Sequence, residues 1–394
     1  MNRTAQILAV VFILVVIVIG VITVLIGPLG DAPLQGIRED ILGREPIVIS
    51  VAYGTEKEEW LREALQRFEA AGMSLRGRPI QVTLQGIGSR EMVENIVQGD
   101  LQPVVVSPAS SIQIELLREE WQQRYNSDIY ATTPEPLVLT PLVLAAWEDR
   151  ATTLWPEDKV GEFWICVHEV LTDDQGWASM GHPEWGLAKF GHTSPETSNS
   201  GIQTLVLLAY AYHQKTTGLS NQDILDADFQ AWLDGIERSV LEFGDSTGTF
   251  MTNMIRLGPS KYDFVVVYEN LAIDNIETAQ GRWEQPLRIY YPPATILSDH
   301  PYAVLNADWV SPEQREAAEI FRDFLLSPEI QELALEYGFR PADPNIAIVN
   351  DSPNNPFNRF AEQGVSIDIA QQVEVPDASV LNELIEWWRR QDYE

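Results

Sequence analysis

Two short stretches carry residue types that could do chemistry. The first is "TSPETSNSG" (residues 193–201), where Thr193, Ser194, Thr197, Ser198, Asn199 and Ser200 stand ahead of Gly201 and the apolar run "IQTLVLLAYAY". Hydroxyls and an amide at a helix start satisfy the unpaired N–H groups of its first turn. One cap is enough, so the others are free to face a ligand, and the partial positive charge there suits an anion. Taken alone, the stretch is a capped loop before a core helix. The second stretch, Gly244-Asp245-Ser246-Thr247-Gly248, matches the G-x-S-x-G pattern of a nucleophile elbow. That motif needs a strand before it and a helix after it. Here the preceding "AWLDGIERSVLEF" has a helical period, and His300 is the only histidine further along. A serine hydrolase is not expected, and Ser246 and Thr247 read as a turn and cap, with Thr247 toward a cleft.

Similar junctions recur. Small polar residues meet a helix start after a first strand (Tyr53, Gly54, Thr55) and after a third (Ser107, Ala109, Ser110, Ser111), and a buried run ends at Tyr268, Glu269 and Asn270. In open α/β sheets ligands bind outside the carboxyl ends of strands. Four such junctions could line one cleft, although any single one is an ordinary strand-to-helix turn. His168, His182, His192, His213 and His300 lack metal-ligand spacing, and the single cysteine, Cys166, excludes an intrachain disulfide and a Cys-based metal site. No metal and no cofactor is expected. His192 is read as ordering its loop in preference to touching a ligand.

The elements that must position these residues alternate. Residues 46–54 and 79–88 read as strands, 56–72 and 90–99 as helices, and 103–111 as a third strand ahead of a helix at 112–121. This argues for an α/β sheet with parallel strands. Two extended runs, at 136–147 and 294–305, flank a block of about 145 residues, which suits a second lobe inserted through two crossing strands. Residues 311–326 open with Ser-Pro and an acidic first turn, a helix start. The last amphipathic segment holds Trp387 and Trp388, expected to dock that helix on the body or else to form a partner-facing patch.

Composition narrows the function. The 394 residues carry a formal charge of -32, from 58 acids and 26 bases, which excludes nucleic acid as a partner because phosphate binding needs a basic surface. Residues 7–26, "ILAVVFILVVIVIGVITVLI", contain no charge and are long enough to span a bilayer. Arg3 precedes them and Asp31, Glu39 and Asp40 follow, so the positive-inside tendency puts Met1 in the cytoplasm and the body outside. The expected plan is a single-pass transmembrane signal anchor over 1–27 and a tether over 28–45. Lobe one is expected at 46–147 plus 294–345, lobe two at 148–293, and a C-terminal extension at 346–394.

The segments "WGLAKFGHTSPETSNSG", "YENLAI", "IYYPPATILSDHPYAVL" and "FRDFLLSPEIQELALEYGFRPA", in this order, resemble the bacterial extracellular solute-binding proteins. More narrowly they resemble the molybdate-binding-like branch and its relatives fused to a von Willebrand factor A domain. The sequence stops at Glu394, so that fused domain is not expected. The resemblance implies a two-lobed type II periplasmic-binding-protein fold with two hinge crossovers and no enzymatic activity. It also implies ligand contacts from Gly54, Thr55, Ser110 and Ser111 on lobe one, and from Ser198, Asn199, Ser200, Gly201, Thr247 and Tyr268 on lobe two. The ligand is expected to be a small polar solute, an oxyanion among the candidates, although no Arg or Lys stands in the binding turns. The partner is then a membrane transporter permease; an envelope protein is the partner if the fold serves instead as an interaction module.

Overall fold

The structure, a computed structural model, describes residues 45–156, 162–369 and 371–393. The expected anchor and most of the tether lie outside the described residues. Among those described, no helix is long and apolar enough to cross a membrane.

Among the described residues twelve strands form two sheets: β1 (Ile47–Tyr53), β2 (Ser74–Leu75), β3 (Arg78–Gly86), β4 (Val105–Ser107), β5 (Glu135–Pro136), β6 (Val138–Trp147), β7 (Phe190–Gly191), β8 (Phe264–Tyr268), β9 (Leu287–Tyr290), β10 (Leu297–Ser298), β11 (Pro301–Val304) and β12 (Arg340–Pro341). The first sheet has the order β2-β3-β1-β4-β11-β5. Its centre is β1, whose Ile47, Ile49 and Val51 alternate inward as a half-buried strand requires. β1 runs parallel to β3 and β4, as the strand–helix alternation predicts. β11 and β5 join antiparallel, because they belong to connections that cross between the sheets.

The second sheet is built on β6, which is buried along nearly all its length. β8 and β9 pair antiparallel with the C-terminal part of β6, while β10 and β12 pair with its start. This half is mostly antiparallel, with β7 and β8 parallel among its described strands. β6 is hydrogen-bonded throughout to second-sheet strands, so the chain passes from the first sheet to the second between β5 and β6. The 294–305 run likewise divides, β10 joining the second sheet and β11 the first. The break is at Asp299 and His300, where His300 takes a left-handed backbone (φ 41°), uncommon for a non-glycine residue.

Helices cover both sheets. Local signals placed them well: Gly72 (φ 62°) and Gly99 (φ 89°) stop helices Glu58–Ala70 and Ser89–Gln98, and Ser311 caps helix Pro312–Leu325 in a reciprocal box with Gln314. The helix Asn199–Tyr212 is buried over most of its length, which is why its sequence is apolar on every face. The C-terminal helix, Ala378–Arg389, packs on Asn199–Tyr212 and also on Ser111–Tyr125. It buries Trp387 (3% exposed) and Trp388 (2%), so these rings are core and not the alternative partner-facing patch.

Candidate functional site

The four polar junctions converge where the two sheets meet. On the first-sheet side, β1 ends at Tyr53, and Gly54 holds its position by donating its N–H to the Ser107 carbonyl at 3.0 Å. A 3-10 turn, Thr55–Lys57, then leads into the next helix. On the second-sheet side, the start of helix Asn199–Tyr212, the end of β8 and the start of helix Thr247–Leu257 come together. An inner cavity of about 30 Å³ lies between them, lined by Thr55, Ser198, Asn199, Thr247 and Tyr268 among others. That volume holds a water or two. It opens toward a larger compartment of about 590 Å³, within the usual range for small-ligand sites, and Thr55, Glu56 and Gly248 line both.

The remaining predicted residues do not line the inner cavity, and each has a visible alternative occupation. The Ser111 N–H (2.7 Å) and hydroxyl both donate to the Asp299 carboxylate, so this helix start already carries an anion from the crossing segment. The Ser110 hydroxyl donates to Asn199 Oδ1 at 2.8 Å. The Ser200 hydroxyl is shared with Thr193 (2.6 Å) and Thr247 (2.7 Å). A Cβ on Gly201 would fall 2.3 Å from the Thr193 carbonyl oxygen, so glycine is needed there for helix-to-loop packing, not for ligand approach. A Cβ on Gly54 would meet the Glu56 carboxylate at 2.3 Å.

Asn199 ties the two sides together. Its Oδ1 accepts from Ser110 and from Gln113 Nε2 (3.1 Å), both on the first-sheet side, while its Nδ2 donates to the Tyr268 hydroxyl at 3.0 Å. Asn270 Nδ2 also crosses, donating to the Glu56 carbonyl at 3.2 Å. Burial, the largest influence, pushes the Tyr268 hydroxyl far above its ordinary pKa, so it stays protonated and available as a donor.

Sequence reasoning missed the charged group behind this site. Lys57 is fully buried, with Nζ 3.2 Å from Glu56 Oε1, 3.2 Å from the Pro108 carbonyl and 3.3 Å from His300 Nδ1. Burial would raise the Glu56 carboxyl, but the Lys57 charge and the His300 hydrogen bond outweigh it and hold it at about 2. Burial lowers the Lys57 ammonium. A lysine therefore does stand in the first binding turn, but it is already bonded to Glu56. A helix-start Lys ordinarily reads as solvent-facing, and the partner that buries it, His300, is 243 residues away. Glu269, the residue after Tyr268, is gripped by Arg340 through two hydrogen bonds of 2.7 and 2.8 Å. The cavity wall itself carries Glu56 and Asp245, and the outer compartment adds Glu58, Glu59, Asp274 and Glu336 against Arg62, which is paired with Glu58 at 2.7 Å.

Ser246 precedes helix Thr247–Leu257 but follows a loop, so the strand of a nucleophile elbow is missing. His192 is buried away from the cavity, bonded to the Thr193 carbonyl (2.9 Å) and to Glu237 (3.1 Å), and orders its loop. Among the described residues no group of three or more His, Cys, Asp or Glu could hold a metal ion.

Solved structures share this architecture. The chain is similar to the sulfate-binding protein of Mycobacterium tuberculosis at 18% identity and a TM-score of 0.55, over 86% of this chain and 97% of the other. It is similar to a periplasmic thiamin-binding protein at 12% identity and a TM-score of 0.59, over 88% and 96%. An iron-bound protein of Pseudomonas aeruginosa matches at 14% identity and a TM-score of 0.56, over 88% and 100%. No curated protein matches the sequence. At such identities these likenesses establish the two-lobed mixed α/β fold. A family model described as bacterial extracellular solute-binding protein matches residues 49–340, most of the chain. The chain belongs to the bacterial extracellular solute-binding proteins, a family that binds small ligands and does no catalysis.

Proposed function

We propose that this protein is a membrane-tethered, extracytoplasmic carrier that holds a small polar solute between its lobes and presents it to a transporter permease. The observation that carries the reading is the convergence of Thr55, Ser198, Asn199, Thr247 and Tyr268 on one inter-lobe cavity that opens into a ligand-sized compartment. Lobe one is residues 46–137 with 301–339, and lobe two is the inserted block together with the chain from β12 onward, whose side chains pack in the second-sheet cores. Residues 7–26 supply the tether to the membrane, and the acidic flank at 31–40 supports placing the body outside.

The solved relatives bind solutes as unlike as sulfate, thiamin and iron, so the fold does not select the ligand and the lining must. Carboxylates dominate the charge of that lining, and the start of helix Ser111–Tyr125 is closed by Asp299. These charges favour a neutral or cationic solute over the oxyanion that the molybdate-binding-like resemblance implies. Local repulsion at the cavity wall is not screened as surface charges are.

The test is a thermal-unfolding panel on the full chain in mild detergent, with molybdate, sulfate, organic ammonium compounds, amino acids and neutral metabolites. A true ligand at a hundredfold excess over its Kd is expected to stabilise by about 2.7 kcal/mol. Asn199→Ala should weaken that shift. A shift with molybdate or sulfate alone would overturn the charge reading. No shift with any compound would sink the carrier reading.

A further inference from the structure

The ligand-facing loop is held from behind by the end of the chain. Trp388 Nε1 donates to Glu237 Oε2 at 2.7 Å, and Glu237 Oε1 meets His192 Nε2 at 3.1 Å. The other ring nitrogen, His192 Nδ1, bonds to the Thr193 carbonyl at 2.9 Å, and the Thr193 hydroxyl is 2.6 Å from that of Ser200. Ser200 in turn bonds to Thr247, which lines the cavity. Trp388, Glu237, His192, Thr193 and Ser200 are all buried, so water cannot replace a lost link cheaply. A second tie runs beside the first: Arg389 Nε pairs with Glu196 in the same loop. The helix that carries both residues is fixed to the first-sheet side as well, where Asn382 Nδ2 donates to Glu119 Oε2 at 3.0 Å on helix Ser111–Tyr125.

Glu237 is the pivotal member. It is a carboxylate with no solvent exposure, and each of its oxygens has one partner, an indole N–H on one side and an imidazole on the other. An acceptor this buried fixes the imidazole's position and hence that of the Thr193 carbonyl it bonds. The indole is therefore in line with the loop geometry, although it never reaches the cavity.

We infer that Trp388 is a positioning residue for the solute site, setting the 193–200 wall through Glu237 and His192, with Arg389 as a parallel brace. The inference rests on the reading that this wall faces solute, but its test does not, because it reads the wall directly. Amide hydrogen exchange is compared in the full-length protein and in Trp388→Phe, which keeps an aromatic ring and removes the N–H. Exchange across residues 193–201 is expected to quicken roughly tenfold or more, as for loss of a hydrogen bond to a charged group, while the first sheet stays unchanged. Trp387→Phe is the control: that ring packs in the same core but is outside the chain of bonds, and it should leave 193–201 unchanged. Unaltered exchange in Trp388→Phe would overturn the inference. Equal acceleration in both variants would also overturn it, since the helix would then act only through packing. Failure of the solute panel alongside a positive exchange result would fault the function and leave the positioning role standing.

Discussion

Replacing Arg340 by methionine is expected to cost about 3–5 kcal/mol, the range for stranding one partner of a buried ion pair. Arg340 is 4% exposed and Glu269 0%. The guanidinium donates twice to that carboxylate, and to the carbonyls of Ser366 (2.6 Å) and Ile367 (2.6 Å). The Tyr291 hydroxyl also donates to Glu269. Removing the arginine would leave a buried charge with a single donor and two carbonyls with none from this side chain. The pair sits at β12, where the chain passes from helix Pro328–Glu336 onto the start of β6, so the loss would loosen the C-terminal strap from the second sheet. Chemical denaturation measures it. Adding Glu269→Gln to Arg340→Met should recover a large part of the loss, because the stranded charge is then gone. A single-variant cost below about 1 kcal/mol would show the site is wet and the pair unimportant.

The second large effect concerns Lys57. In Lys57→Met the Glu56 carboxylate keeps its burial and loses its cation, with an expected cost of about 3–5 kcal/mol near neutral pH. The pH dependence has a definite sign. Glu56 is depressed from 4.5 to about 2, so its contribution is complete above 4.5 and is lost as pH falls toward 2. Integrated over that interval it is worth about 3 kcal/mol. In the variant burial acts with less opposition, so the carboxyl is expected to titrate higher than in the native protein. The stability gap between the two proteins should therefore be widest near neutrality and close as acid protonates Glu56. Urea unfolding at several pH values between 7 and 3 follows it. A gap that stayed constant with pH would assign the cost to packing and not to charge.

Both sites show what could be read from the residues and what could not. Helix Glu58–Ala70 with its stop at Gly72, and helix Pro312–Leu325 with its Ser-Pro start, follow from local spacing and capping, whose causes lie within a few residues. The polar start of helix Asn199–Tyr212 was legible for the same reason, and five of the residues singled out do reach the inner cavity. The Lys57–Glu56–His300 cluster, the Asp299 cap on Ser111 and the Arg340–Glu269 pair were not, because each joins segments 70 or more residues apart. Nothing in a run of hydroxyls distinguishes donors aimed at a solute from donors spent on one another, as Ser200 and Thr193 are. β6 misled for a related reason: a continuous apolar strand shows that both faces are covered but not which sheet covers them.

Asn199 has a kinetic consequence. Its amide bonds Ser110 and Gln113 across the cleft, and Asn270 reaches Glu56. A solute bound for the inner cavity has to wait for those bonds to part, so its uptake would level off at the rate at which the two sides separate, however concentrated the solute. A substitution that weakens this latch would raise that ceiling.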